Sequence, residues 1–163
     1  MGASGWDYFV PYQQSIEHAL AELREQVFRN GDFFLRPLWE IDPNKFLDAP
    51  EEIREQIPAR IEREKSFSQP STLKALIDWN GEEGTHSIID IERIAPTPAL
   101  CAASPLSIEQ LIEIFGTDKP ERSMVEQRKR EIGEMRNRWE ASYIVVYKNG
   151  EPDEIFFSGY SGD

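Results

Sequence analysis

Residues 143–157 read Tyr-Ile-Val-Val-Tyr-Lys-Asn-Gly-Glu-Pro-Asp-Glu-Ile-Phe-Phe, and their reading decides the fold. A β-branched and aromatic run from Tyr143 to Lys148 is followed by turn residues, then by a second run from Asp153 to Phe157. That is the signature of a β-hairpin. Two registers compete. A two-residue turn at Asn149-Gly150 pairs Lys148 with Glu151, but it sets Val146 against Asp153 and Tyr147 against Pro152. A four-residue loop, Asn149 to Pro152, pairs Lys148 with Asp153, Val146 with Ile155 and Ile144 with Phe157. Like-with-like cross-strand pairs contribute from a few tenths to ~1 kcal/mol each, and the longer loop keeps Pro152 out of the ladder. The four-residue loop is therefore the expectation. It places Ile144, Val146, Ile155 and Phe157 on one face, and Tyr143, Val145, Tyr147 and Phe156 on the other. Both faces are apolar. Either both are covered, or Tyr143, Val145, Tyr147 and Phe156 form an aromatic surface that binds a partner.

Upstream of the hairpin, Pro120 opens a long charged helix reaching about Trp139. Met124, Ile132, Met135 and Trp139 mark its apolar stripe, and interleaved arginines and glutamates give it pairs at helical spacing. Before it, Ser107 and Gln110 form a capping box, Leu106 and Leu111 a hydrophobic staple, and Phe115-Gly116 a stop. Residues 95–105 hold three prolines and read as a crossing loop. Thr85 to Ile94 reads as a strand, β-branched at Ile88, Ile89, Ile91 and Ile94. Ser71 caps a helix carrying Leu73, Leu76 and Ile77 that stops at Asn80-Gly81. At the other end, Trp6 to Val10 reads as a strand stopped by Pro11. Ser15 caps a helix with Ile16, Ala19, Leu20, Leu23 and Val27 on one face, and Asn30-Gly31 closes it. Asp32–Leu35 reads as a further short strand.

Between these elements, residues 36–70 are punctuated by Pro37, Pro43, Pro50, Pro58 and Pro70, with a helical turn at Pro50–Gln56. They read as a helical insertion or lid within a single domain spanning 1–163. The whole pattern predicts an α+β fold: a mixed or antiparallel sheet of about four to five strands with helices packed on it, closed by the C-terminal hairpin.

The chain has 163 residues, 39% hydrophobic and 29% charged, and carries a net charge of −12. That charge disfavours nucleic-acid phosphates and anionic membranes and favours a basic protein partner. No stretch approaches the ~18 apolar residues of a membrane span. The N-terminal residues lack a secretory pattern, and the single Cys101 excludes an intrachain disulfide. A cytoplasmic protein with no cofactor is expected.

Chemistry has few candidates. On a strand, His86, Asp90 and Glu92 point to one side, where a histidine and two carboxylates could hold a metal or exchange a proton. The competing reading is the solvent face of a half-buried strand. Cys101 would need a base, and only His18 and His86 exist; a half-buried thiol is the simpler reading. The glycines at the two ends, Gly2 to Gly5 and Gly159 to Gly162, lack the strand–loop–helix context of a phosphate loop. The arginines of the 120–138 helix form the one basic patch, interleaved with glutamates.

Gly2-Ala3-Ser4-Gly5-Trp6 with Pro11-Tyr12, the central Gly84-Thr85-His86-Ser87-Ile88-Ile89-Asp90-Ile91, and the closing Gly159-Tyr160-Ser161-Gly162-Asp163 resemble a group of short uncharacterised bacterial proteins, which brings no activity with it. In size, charge and α+β make-up the chain is also similar to bacterial immunity proteins, which bind and block a cognate toxin. That similarity implies an acidic inhibitor, immunity or adaptor protein acting on a basic partner. The alternatives are a small metal-dependent hydrolase using His86, Asp90 and Glu92, and a structural subunit of a larger assembly. Catalysis is the less favoured of these expectations.

Overall fold

The computed structural model describes residues 4–35, 50–51, 54–55 and 70–162. Five strands form one sheet: β1 (Gly5–Pro11), β2 (Arg93–Ile94), β3 (Ala102–Pro105), β4 (Glu140–Lys148) and β5 (Glu151–Tyr160), in the order β1-β5-β4-β3-β2. β1 and β4 flank β5 antiparallel, while β3 runs parallel to both β4 and β2. The sheet is thus mixed, and the fold is α+β.

Helices lie on both faces, as two apolar faces of the hairpin require. α1 (Ile16–Asn30) starts at Ser15, whose hydroxyl accepts the His18 amide, and ends at left-handed Gly31. It buries Ala19, Leu20, Leu23 and Val27 against Trp6, Ile89, Ile91, Ile155 and Phe157. Its companion α2 (Leu73–Asn80) adds Leu76 to the same layer. Across the sheet, α3 (Ile108–Phe115) and α4 (Arg122–Gly133) bury Phe115, Val125 and Ile132 against Ile144, Val146 and Phe156. Each such aliphatic or aromatic side chain stabilises by about 1.5–3 kcal/mol when fully buried.

The hairpin turn is the two-residue one. Asn149 and Gly150 both take positive φ, Lys148 pairs with Glu151, and Tyr147 pairs with Pro152. A bulge then shifts the ladder so that Val146 faces Glu154, Val145 faces Ile155 and Ile144 faces Phe156. Asp153 is the extra residue, and its carbonyl accepts the Tyr12 amide at 2.9 Å. The bulge combines the favoured Asn-Gly turn with an apolar ladder, which neither uninterrupted register could do. A one-residue slip exchanges the faces of a strand. Phe156 therefore lies with Ile144 and Val146 toward α3 and α4, whereas Ile155 and Phe157 share the α1 side with Tyr143.

Other expectations shift with local geometry. Thr85–Ile94 is not a strand. Ser87 accepts the Ile89 amide and starts a single 3-10 turn at Ile88–Asp90, leaving only Arg93–Ile94 in the sheet. Ile88, Ile89 and Ile91 are all fully buried, so this β-branched run packs as a core loop. Conversely, the expected loop 95–105 contributes β3. The cap of α2 is Thr72 rather than Ser71. α4 ends at Gly133, well short of Trp139, whose φ of +63° no helix can contain. Asp32–Leu35 forms no strand, although the Phe34 amide bonds the Thr85 carbonyl at 2.8 Å. The insertion or lid expected at 36–70 lies outside the described residues, apart from Pro50, Glu51, Arg54, Glu55 and Pro70. There the Arg54 amide bonds the Pro50 carbonyl at 3.1 Å, a helical turn. No helix among the described residues is long and apolar enough to cross a membrane.

Candidate functional site

Ser4, the 84–91 segment and Ser161, one from each of the three stretches quoted above, meet at one end of the sheet. Ser161 donates its amide to the Ser4 carbonyl at 3.1 Å and its hydroxyl to Asp90 Oδ2 at 2.8 Å. Asp90 Oδ1 accepts the Thr85 amide at 2.7 Å. Around this carboxylate, Asn80, Thr85, Ser87 and Ser161 are all fully buried. The Asn80 amide group donates to the carbonyls of both Phe34 and Gly84 at 2.7 Å, and the Thr85 and Ser87 hydroxyls lie 2.8 Å apart. Burial pushes the Asp90 carboxyl above the usual carboxylate range, against the opposing pull of its hydrogen bonds from Ser161 and Thr85.

Backbone strain gathers at the same place. His86, Cys101 and Trp139 all have positive φ, a conformation uncommon for such residues. Trp139 ties Cys101 to β5: its carbonyl accepts the Cys101 amide at 2.7 Å and its amide donates to the Tyr160 carbonyl at 3.0 Å. A Cβ on Gly84 would lie 2.8 Å from Asp90 Oδ2 and 3.0 Å from the Trp139 ring, and one on Gly162 would overlap that ring outright. The indole fills the space between the two glycines.

The expected catalytic or metal set does not assemble here. Asp90 points inward with 4% exposure and both oxygens engaged, while Glu92 points into solvent. The His86 ring stacks on Phe34, with centroids 4.3 Å apart. The reason is the 3-10 turn, which rotates the three side chains away from the common side that a strand would give them. No group of three His, Cys, Asp or Glu among the described residues could hold a metal ion. Cys101 is half-buried, and burial raises its thiol pKa, helped by the charges of Glu92 and Asp90. That is the opposite of nucleophile activation. His18, the other histidine, is exposed on α1 beside Gln13 and Glu22. What the Asp90 cluster can do chemically is anchor: its carboxylate fastens Ser161, at the end of β5, to the 85–91 loop, and the Ser161 amide in turn holds Ser4 before β1.

Nor do the four expected partner-binding residues share a surface. Phe156 is fully buried, its ring 4.6 Å from that of Phe9. Tyr143 lies on the opposite side of the sheet, packed against the α1 layer, and burial with the nearby Glu17 charge raises its phenol pKa. Val145, paired with Ile155 on the same side as Tyr143, is half-buried. Tyr147 is half-buried at the edge of β4, where its amide donates to the Pro120 carbonyl at 2.9 Å and Lys119 lies 5.5 Å from its ring centre.

Among the described residues four large apolar side chains are exposed: Tyr12 and Leu100, which stand on separate segments, and a pair on α3. Ile108 is 60% exposed and Ile112 52% exposed, one helical turn apart. Beside this row runs a second, Glu109 and Glu113, also exposed. The opposite side of the helix sends Leu111, Ile114 and Phe115 into the core. The helix is held rigid by the capping box expected from sequence, with Gln110 Oε1 accepting the Ser107 amide at 2.9 Å and Ser107 Oγ accepting the Gln110 amide at 3.2 Å. Glu109, at the helix start, is held below the ordinary carboxylate range by its own amide and by the Ser107 hydroxyl, so its charge persists. The signal for this surface is present in the sequence: Ile108, Leu111, Ile112, Ile114 and Phe115 exceed what one buried stripe of an eight-residue helix can hold.

No protein-family model, curated protein or solved structure matches the chain.

Proposed function

We propose that this chain is a protein-binding module of the inhibitor, immunity or adaptor kind, working in the cytoplasm on a basic protein partner through the outer face of α3. The observation that carries the reading is the pair of exposed isoleucines, Ile108 and Ile112, set beside the exposed carboxylates of Glu109 and Glu113 on a rigid helix. An apolar anchor supplies affinity, and adjacent charge selects a cationic partner and speeds encounter. The net charge of −12 adds a long-range field of the same sign. It also opposes self-association through this face, because two copies would bring their glutamate rows together.

Affinity capture from the source cells at low and high salt tests this reading. A discrete basic protein should be retained by the native chain, lost at high salt, and lost again when Ile108→Ser and Ile112→Ser are combined. Retention that ignores both salt and the double substitution would remove the proposal's basis.

A further inference from the structure

Three serines from neighbouring strands stand side by side beneath α4. Ser104 pairs with Ser142 across β3 and β4, and Ser142 pairs with Ser158 across β4 and β5. They are 0%, 1% and 4% exposed, respectively. The hydroxyls of Ser104 and Ser142 make no hydrogen bond among the described residues, and neither does the buried Nε of Arg136, whose guanidinium reaches the Pro105 carbonyl next to Ser104. Buried hydroxyls and guanidinium nitrogens without partners are uncommon and carry a penalty unless a water or ligand meets them.

The row ends in a cleft of about 280 Å³ between α4 and the β1–β5 pair. Its lining includes Lys129, Arg130, Gly133, Ser158, Tyr160 and Asp7. Gly133 sets its depth: a Cβ there would come within 3.5 Å of the Tyr160 hydroxyl and 3.6 Å of the Ser158 hydroxyl. With no side chain at 133, both hydroxyls lie open to the cleft. Lys129 leans over the Phe9 ring at 5.1 Å and pairs with Asp7 at 2.6 Å; Arg130 pairs with Glu134 at 2.8 Å. Both are surface ion pairs, weak enough for a ligand to displace. The lining residues themselves are two cations and one carboxylate, with Glu134 outside the lining on Arg130, so an anion entering the cleft competes with Asp7 and Glu134 for the two cations.

We infer that this cleft is a binding site for a small oxyanion, a carboxylate or phosphate group, held by the Ser158 and Tyr160 hydroxyls and by the cations of Lys129 and Arg130. Hydroxyls and cations together supply only donors toward the ligand, as an oxyanion requires. Asp7 also lines the cleft, so a bound anion takes its place on Lys129. The site is separate from the α3 face and stands or falls independently of the proposed function.

The test is a titration of the full chain with inorganic phosphate, with acetate, and with chloride as control, followed by the amide signals of Gly133, Ser158, Gly159 and Tyr160. Saturable shifts with phosphate or acetate but not chloride are expected, and the stronger of the two identifies the source class. Gly133→Ala is the decisive variant, because the added methyl sits in ordinary contact with both hydroxyls and covers them without strain. It should keep the thermal midpoint and weaken binding at least tenfold. Ser158→Ala should weaken it severalfold, with the circular dichroism spectrum unchanged. The inference is overturned if no saturable shift occurs by about 10 mM, tenfold above a millimolar dissociation constant. It is equally overturned if Gly133→Ala binds as well as the native chain, which would leave only diffuse attraction to Lys129 and Arg130.

Discussion

Ser161 donates its hydroxyl to Asp90 across 71 residues of chain, at 2.8 Å and wholly inside the protein. The contact fixes the end of β5 to the loop that precedes β2, so that Trp139 is enclosed between Gly84 and Gly162. A carboxylate buried this deeply is expected to be structural, and its removal should show in stability first.

Asp90→Ala leaves the buried Thr85 amide and the Ser161 hydroxyl without their acceptor. Unfolding in urea should show a loss of about 2–4 kcal/mol. Ser161→Ala removes one hydrogen bond and should lose about 1 kcal/mol. The double variant should lose less than the sum, because the two residues share the contact.

The raised pKa of Asp90 has a definite sign in stability. Folding favours the protonated carboxyl relative to the unfolded chain, so this group's contribution is fully present below about pH 4, the unfolded value, and declines as pH rises through the higher folded value. Asp90→Asn does not titrate. The stability of the native protein minus that of Asp90→Asn should therefore fall across this window and level off above it. A difference that grows with pH would mean the hydrogen bonds outweigh burial.

Gly84→Ala meets both a positive φ and the Asp90 and Trp139 side chains, whereas Gly31→Ala meets a positive φ with nothing within 4 Å. The second should lose about 1 kcal/mol from backbone conformation alone. The first should lose at least twice that and shift the tryptophan fluorescence. Equal losses would show that the indole yields easily.

Phe156, expected from sequence on a partner-binding surface, lies in the core, whereas Ile108 and Ile112 of α3 are exposed. Phe156→Ala should lose about 3–5 kcal/mol as a core truncation. Ile108→Ser and Ile112→Ser should each stay within about 0.5 kcal/mol of the native protein, as exposed substitutions do. Thermal or urea melts of the three variants decide this directly.

The elements that were legible in the sequence are those fixed by local chemistry. Ser15 and Gly31 bound α1, and the Ser107–Gln110 box with Gly116 bounds α3, because capping needs only neighbours in the chain. The hairpin itself was legible for the same reason, but its register was not. A bulge at Asp153 is stabilised by the Tyr12 amide from a distant strand, and no local pattern carries that partner. The run Ile88–Ile91 misled because β-branching measures fit to a buried surface, whether or not that surface is a strand. Once the strand was gone, so was the alignment of His86, Asp90 and Glu92. The Asp90–Ser161 contact could not be read at all, since it depends on which ends of the sheet meet. The exposed isoleucines were legible in principle, as a surplus of apolar residues on a short helix.

The central proposal is that a basic partner sits on the outer face of α3. A photo-reactive residue placed at Ile112, and separately at Tyr143, in the chain expressed in its own cells tests it most directly. A discrete cross-linked species from position 112, diminished by high salt and absent from position 143, is the expected result. Cross-linking from position 143 with none from position 112 would contradict it, returning the partner surface to the hairpin.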